Sequence, residues 1–153
     1  MTHTIENGLI TAILCIIIFI PIYLVVRNAR IKKKKKISNE LSAIEKDLDL
    51  SLQAIEQFDS FVIAIDRAKK IIVKMALKDY SPQLIDLNGI TACMLDEKKQ
   101  GKAIQQLQLV LLGKDQIPLH HIVFYRQYVD NEGRLKQTTR IAAQWEVMIK
   151  AII

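Results

Sequence analysis

The stretch from Leu9 to Val26, LITAILCIIIFIPIYLVV, limits this chain more than any other feature. It is eighteen residues without a charge, followed at once by RNARIKKKKK. At about 1.5 Å of helical rise per residue it reaches ~27 Å, close to the ~30 Å hydrocarbon core of a bilayer. Its apolar content is seven Ile, three Leu, two Val and one Phe. At about 0.3–0.6 kcal/mol each near mid-membrane, these favour insertion by on the order of 4–8 kcal/mol, before Pro21 and Thr11 subtract. Pro21 is tolerable because neighbours or local adjustment re-satisfy the freed carbonyl. Tyr23 lies near the charged end, where interfacial aromatics gather. The sequence therefore predicts a transmembrane helix over residues 9–26, with Leu9, Ile13, Ile17, Ile20 and Leu24 in its membrane-spanning core.

A cleaved signal peptide needs a basic start, a shorter apolar core and a small-x-small cleavage site. Residues 1–8, MTHTIENG, carry no Lys or Arg, and no Ala-x-Ala follows the apolar run. The expectation is an uncleaved anchor. Arg27, Arg30, Lys32, Lys33, Lys34, Lys35 and Lys36 then set its orientation, since Lys and Arg close to a span stay on the cytoplasmic side. Residues 1–8 are expected outside the cell membrane, 27–36 as a basic juxtamembrane stretch and the rest in the cytoplasm. The same run also suits anionic lipid, at about 1 kcal/mol per charge near the surface.

Charge distribution excludes a partner that the pI near 9.3 suggests. Residues 1–36 hold seven basic residues and one acid, whereas residues 37–153 hold fifteen of each. A nucleic-acid binder spreads Lys and Arg over the face that meets phosphate. Here the whole basic excess is juxtamembrane, so no nucleic-acid partner is expected.

Beyond Lys36, apolar residues at Ile37, Leu41, Ile44, Leu48, Leu52, Ile55 and Phe58 step by three and four, predicting an amphipathic connector helix over 37–57. The period then changes. FVIAID and IIVKMAL, joined by RAKK, read as a hairpin, with Asp66 starting the turn by bonding its own backbone. LIDL is ambiguous, and Asn88-Gly89 is a turn signal. ITACML, IQQLQLVLL and LHHIVFYRQYV read as further strands, the first two separated by a polar loop, DEKKQGK. Finally Thr138, Ile141, Ala142, Trp145, Met148, Ile149 and Ile152 form one helical stripe, with Trp145 as a core plug. The expectation is an α+β domain over 58–153: a curved antiparallel sheet or partial barrel of five clear strands, closed by a C-terminal helix.

FVIAID…KKIIVK, IDLNGITACMLDE, LQLVLL, the Pro118-led HHIVFY and AAQWEVMIKAI together resemble the pleckstrin-homology-like (PH-like) domains of small bacterial membrane-anchored proteins, over roughly two thirds of the chain. The resemblance implies a seven-stranded fold, so five strands would leave it incomplete. It also implies binding rather than catalysis, through a sheet edge or loops that meet lipids or peptides. Phosphoinositide-binding members carry basic residues in and after the first hairpin turn, where this chain has Arg67, Lys69, Lys70 and Lys74.

Catalytic signatures are missing. The sequence holds no G-x-x-x-x-G-K-[ST], G-x-G-x-x-G or G-x-S-x-G. His120 and His121 are adjacent on a strand and so point to opposite faces, which argues against a shared metal. Cys93 reads as a buried small hydrophobe. No cofactor or metal is expected. The reading is a single-pass, membrane-anchored, non-catalytic binding module whose partners are the bilayer and a membrane or cytoplasmic protein, or a second copy of itself. The alternatives are an anionic-lipid sensor using the hairpin and juxtamembrane lysines, and a small membrane-tethered enzyme.

Overall fold

A computed structural model describes the backbone of residues 2–101 and 103–153 and the side chains of residues 16–101 and 103–153. The chain divides into two compact units, Met1–Ile44 and Glu45–Ile153. Helix α1 (Thr2–Leu48) supplies the first and runs four residues into the second. From Ile16 to Val26 its large apolar side chains are 45–68% exposed, and they project on every side of the helix. Leu9 to Cys15, including Leu9 and Ile13 of the expected span, lie outside the described side chains. Among the described residues no helix is long and apolar enough to cross a membrane.

The helix expected over 37–57 ends early. Asp49 adopts a left-handed conformation (φ 52°), and the Leu50 N–H donates to the Glu45 carbonyl at 2.8 Å. This is the six-to-one hydrogen bond of a Schellman cap, with Asp49 in the place usually taken by glycine. The Lys69 ammonium donates to the Leu48 carbonyl at 3.3 Å and to the Asp49 carbonyl, and pairs with the Asp49 carboxylate at 3.1 Å. A cation over the last carbonyls also opposes the negative end of the helix dipole. Residues 53–57 are a strand instead.

Among the described residues seven strands follow. β1 (Gln53–Gln57), β2 (Phe61–Asp66), β3 (Ile71–Ala76) and β4 (Pro82–Asp86) form an antiparallel sheet in chain order. β5 (Ala92–Gln100), β6 (Ala103–Leu112) and β7 (Pro118–Arg126) form a second. Among the described residues no strand pair joins the two sheets, and no closed barrel forms. The five clear strands expected leave out β1, and β4 is the segment at LIDL that the sequence leaves open as a possible sixth, with the Tyr128 region as the other candidate. The polar loop expected at DEKKQGK is mostly strand: β5 continues to Gln100, and the chain reverses at Gly101, whose φ of 61° suits glycine.

The β2–β3 hairpin has the register Phe61↔Ala76 through Asp66↔Ile71. Asp66, 2% exposed, ends β2. Its Oδ1 accepts from the Lys69 N–H at 2.9 Å, and its Oδ2 from the Ser51 N–H at 2.7 Å. One carboxylate thus closes the turn and ties down the chain entering β1.

Helix α2 (Leu135–Lys150) lies against β5, β6 and β7. Its buried face carries Ala142, Trp145 and Ile149. Trp145 is 1% exposed and packs in a core with Ile63, Ile65, Ile72, Leu107, Leu109 and Ile122 from both sheets. Phe58 stacks on Phe61, and Phe124 meets both at a tilt, with centroids 4.8–6.2 Å apart. Asp59 anchors the approach to α2 by accepting from the Asn131 N–H at 3.2 Å and pairing with Arg134 at 3.0 Å. Several sheet edges are modified. β1 bulges between Gln53 and Glu56, β4 begins at Pro82, and the Leu95 N–H of β5 donates to Glu146 of α2 at 3.3 Å.

Candidate functional site

The four basic residues expected to form one anion site are dispersed. Lys69 is spent on the end of α1. Lys74 is half-buried within β3, opposite Ile63, its ammonium 5.1 Å from the Phe61 ring centroid. Burial there, reinforced by the Arg126 charge, pushes its pKa below the usual lysine value. Lys70 is partly buried. Only Arg67 stands exposed in the turn and unpaired among the described residues.

Arg67 belongs instead to a larger feature. A groove of about 650 Å³ runs along α2, lined by Arg67, Arg140, Ala143, Val147, Met148 and Ile152, with Gln144 and Ala151 completing it. Its helical wall repeats at 140, 143 and 147, a second stripe beside the one that carries Trp145, and the C-cap Ala151 extends it. Val147 on this stripe is 68% exposed. Arg140 makes no ion pair among the described residues, and no acidic side chain lines the groove. Its chemistry is an apolar floor bordered by two guanidinium groups that are unpaired among the described residues.

The sequence reading missed Arg140, Ala143, Val147 and Ala151. Their three- and four-residue spacing was visible, but the stripe holding Trp145 is the more hydrophobic, and the second passed as a polar flank. A smaller depression of about 300 Å³ lies beside Lys98, Arg126, Tyr128 and Val129, the last two 88% and 72% exposed. A further cavity between Phe58, Phe124, Asp130 and Thr138 is only about 40 Å³, room for little more than water.

Cys93 is buried, and desolvation, reinforced by the Glu146 charge, raises its thiol pKa to about 12. It therefore stays protonated and unreactive near neutral pH. His120 pairs across from Leu111 and His121 from Val110, so the two imidazoles leave opposite faces of the second sheet. Among the described residues no group of three or more His, Cys, Asp or Glu could hold a metal ion. Compared with known protein families, curated proteins and solved structures, the chain matches none.

Proposed function

We propose that this chain is a single-pass, membrane-anchored, non-catalytic interaction module that holds a PH-like domain at the cytoplasmic face. The observation that carries the reading is the all-round exposure of Ile16–Val26 on α1, directly before the basic run from Arg27 to Lys36. A helix apolar on every side belongs in a membrane or a large core, and so wide an apolar surface is rare on a soluble monomer. Four strands plus three, in chain order, with a terminal helix on the second sheet, support the PH-like assignment. The balanced charge of residues 37–153 favours a protein partner over a polyanion. Tethering raises the local concentration of a module, so a weak site suffices.

Carbonate washing of membranes from cells expressing the full chain tests the anchor, and a reporter fused after Ile153 tests orientation. The expected result is retention in the pellet with a cytoplasmic reporter. Release without detergent, or an exported reporter, overturns the reading. Exposure of the Arg27–Lys36 run favours a second role as an anionic-lipid sensor. Loss of affinity for phosphatidylserine vesicles when Lys32–Lys36 are changed to glutamine, at low salt and with the span intact, tests that role.

A further inference from the structure

Resting on the interaction-module reading, we infer that the α2 groove receives an amphipathic helix of another protein, one that carries carboxylates beside its apolar face. Charge complementarity selects this occupant. Arg67 and Arg140 border the groove, neither is paired among the described residues, and no acid lines it. A guanidinium is a rigid fork that meets a carboxylate bidentately, so two of them beside apolar surface favour a ligand with both features.

The floor indicates the shape of the occupant. Ala143 and Val147 stand four residues apart on α2, and Ala151, the residue that caps its C-terminal end, follows at the same interval. Small side chains in such a row leave a groove in which the ridge of a second helix seats closely. Val147, at 68% exposure on the open face of a helix whose other side holds the core, is the natural central contact. Arg67 comes from the β2–β3 turn, so its position beside α2 depends on the hairpin that Asp66 closes.

The test places a benzophenone photocrosslinker at Val147 of the full chain in its native membrane, with a second copy of the experiment at Tyr128 as control. The expected adduct at Val147 joins another protein at a segment with apolar residues spaced by three and four and flanked by Asp or Glu. Arg67→Glu combined with Arg140→Glu should lower its yield about tenfold or more, and changing the partner's acids to lysine should restore it. Both arginines are exposed, and Trp145 emission verifies that the variant remains folded.

Adducts only to lipid or to a second copy, insensitivity to the charge reversal, or no adduct at Val147 overturn the inference. Adducts at Tyr128 alone do so while leaving the interaction-module reading standing. A charge-dependent adduct at Val147 on a chain that washes free of the membrane supports the groove and removes the anchor.

Discussion

Replacing Asp66 by asparagine changes almost no volume, yet it should cost nearly as much stability as alanine. The two carboxylate oxygens have separate duties: Oδ2 accepts from Ser51 and Oδ1 from Lys69. An amide offers only one oxygen, so its NH₂ must face one of these N–H donors. A hydrogen bond to a charged group contributes about 1.5–3 kcal/mol and one to a neutral oxygen about 0.5–1.5 kcal/mol, so the amide loses one bond and weakens the other, while exposed Ser51 and Lys69 leave the released donor open to water. On that basis Asp66→Asn should lose about 2–4 kcal/mol, and Asp66→Ala about 3–5 kcal/mol. Denaturant unfolding of the full chain in detergent, read through Trp145, the sole tryptophan, measures both. The Ser51 and Lys69 N–H groups hold the Asp66 carboxyl below the usual carboxylate pKa. As acid is added, the unfolded state takes up this proton first. The stabilisation is therefore complete above the ordinary carboxylate value of about 3.9 and fades as pH falls through the lower folded one. An Asn variant within ~0.5 kcal/mol of wild type at pH 7 would refute the two-acceptor reasoning.

Trp145→Ala, emptying the largest side chain in the core, should cost about 3–5 kcal/mol in far-UV-monitored melts. In a Cys15→Ser background, Cys93 should resist maleimide at pH 8 until denaturant is added, because its thiol pKa is about 12; rapid labelling of the native protein would contradict this. Ile17→Lys combined with Ile20→Lys should abolish retention in carbonate-washed membranes, since each lysine costs about 2.5–3.5 kcal/mol at mid-span. Lys69→Met should destabilise by about 0.5–1 kcal/mol, the value of a cation at a helix C-terminus, and the loss should shrink in high salt.

The hairpin and terminal helix were legible in sequence because hydrophobic burial writes a period there. Ile63 and Ile65 alternate on the inner face of β2, and Ala142, Trp145 and Ile149 recur at helical spacing. β1 was hidden for the same reason. Leu52 and Ile55 continue the three-and-four rhythm of Ile44 and Leu48, and the stop between them lies in the left-handed conformation of Asp49 instead of in a glycine. Burial in β1 does alternate, but Ala54 and Glu56 hold the partly buried positions and Ile55 is 53% exposed, so the strand shows no apolar alternation to read. The end of β5 was obscured because it extends past the core, where Asp96 to Gln100 have polar side chains on both faces. The dispersal of the basic residues was not legible either. Whether Lys69 meets a ligand or a helix end depends on a contact with Leu48 and Asp49, twenty residues earlier.

Under the anchoring proposed above, the altered sheet edges bear on what happens when many copies share one membrane. Confinement to two dimensions brings identical domains into frequent collision, and an unguarded strand margin would let one sheet extend into the next. Pro82 offers no N–H to a neighbour, Glu146 already occupies the amide of Leu95, and the kink near Ala54 spoils a straight seam along β1. At β1, β4 and β5 these features oppose strand addition between copies, leaving encounters there to be decided by side chains.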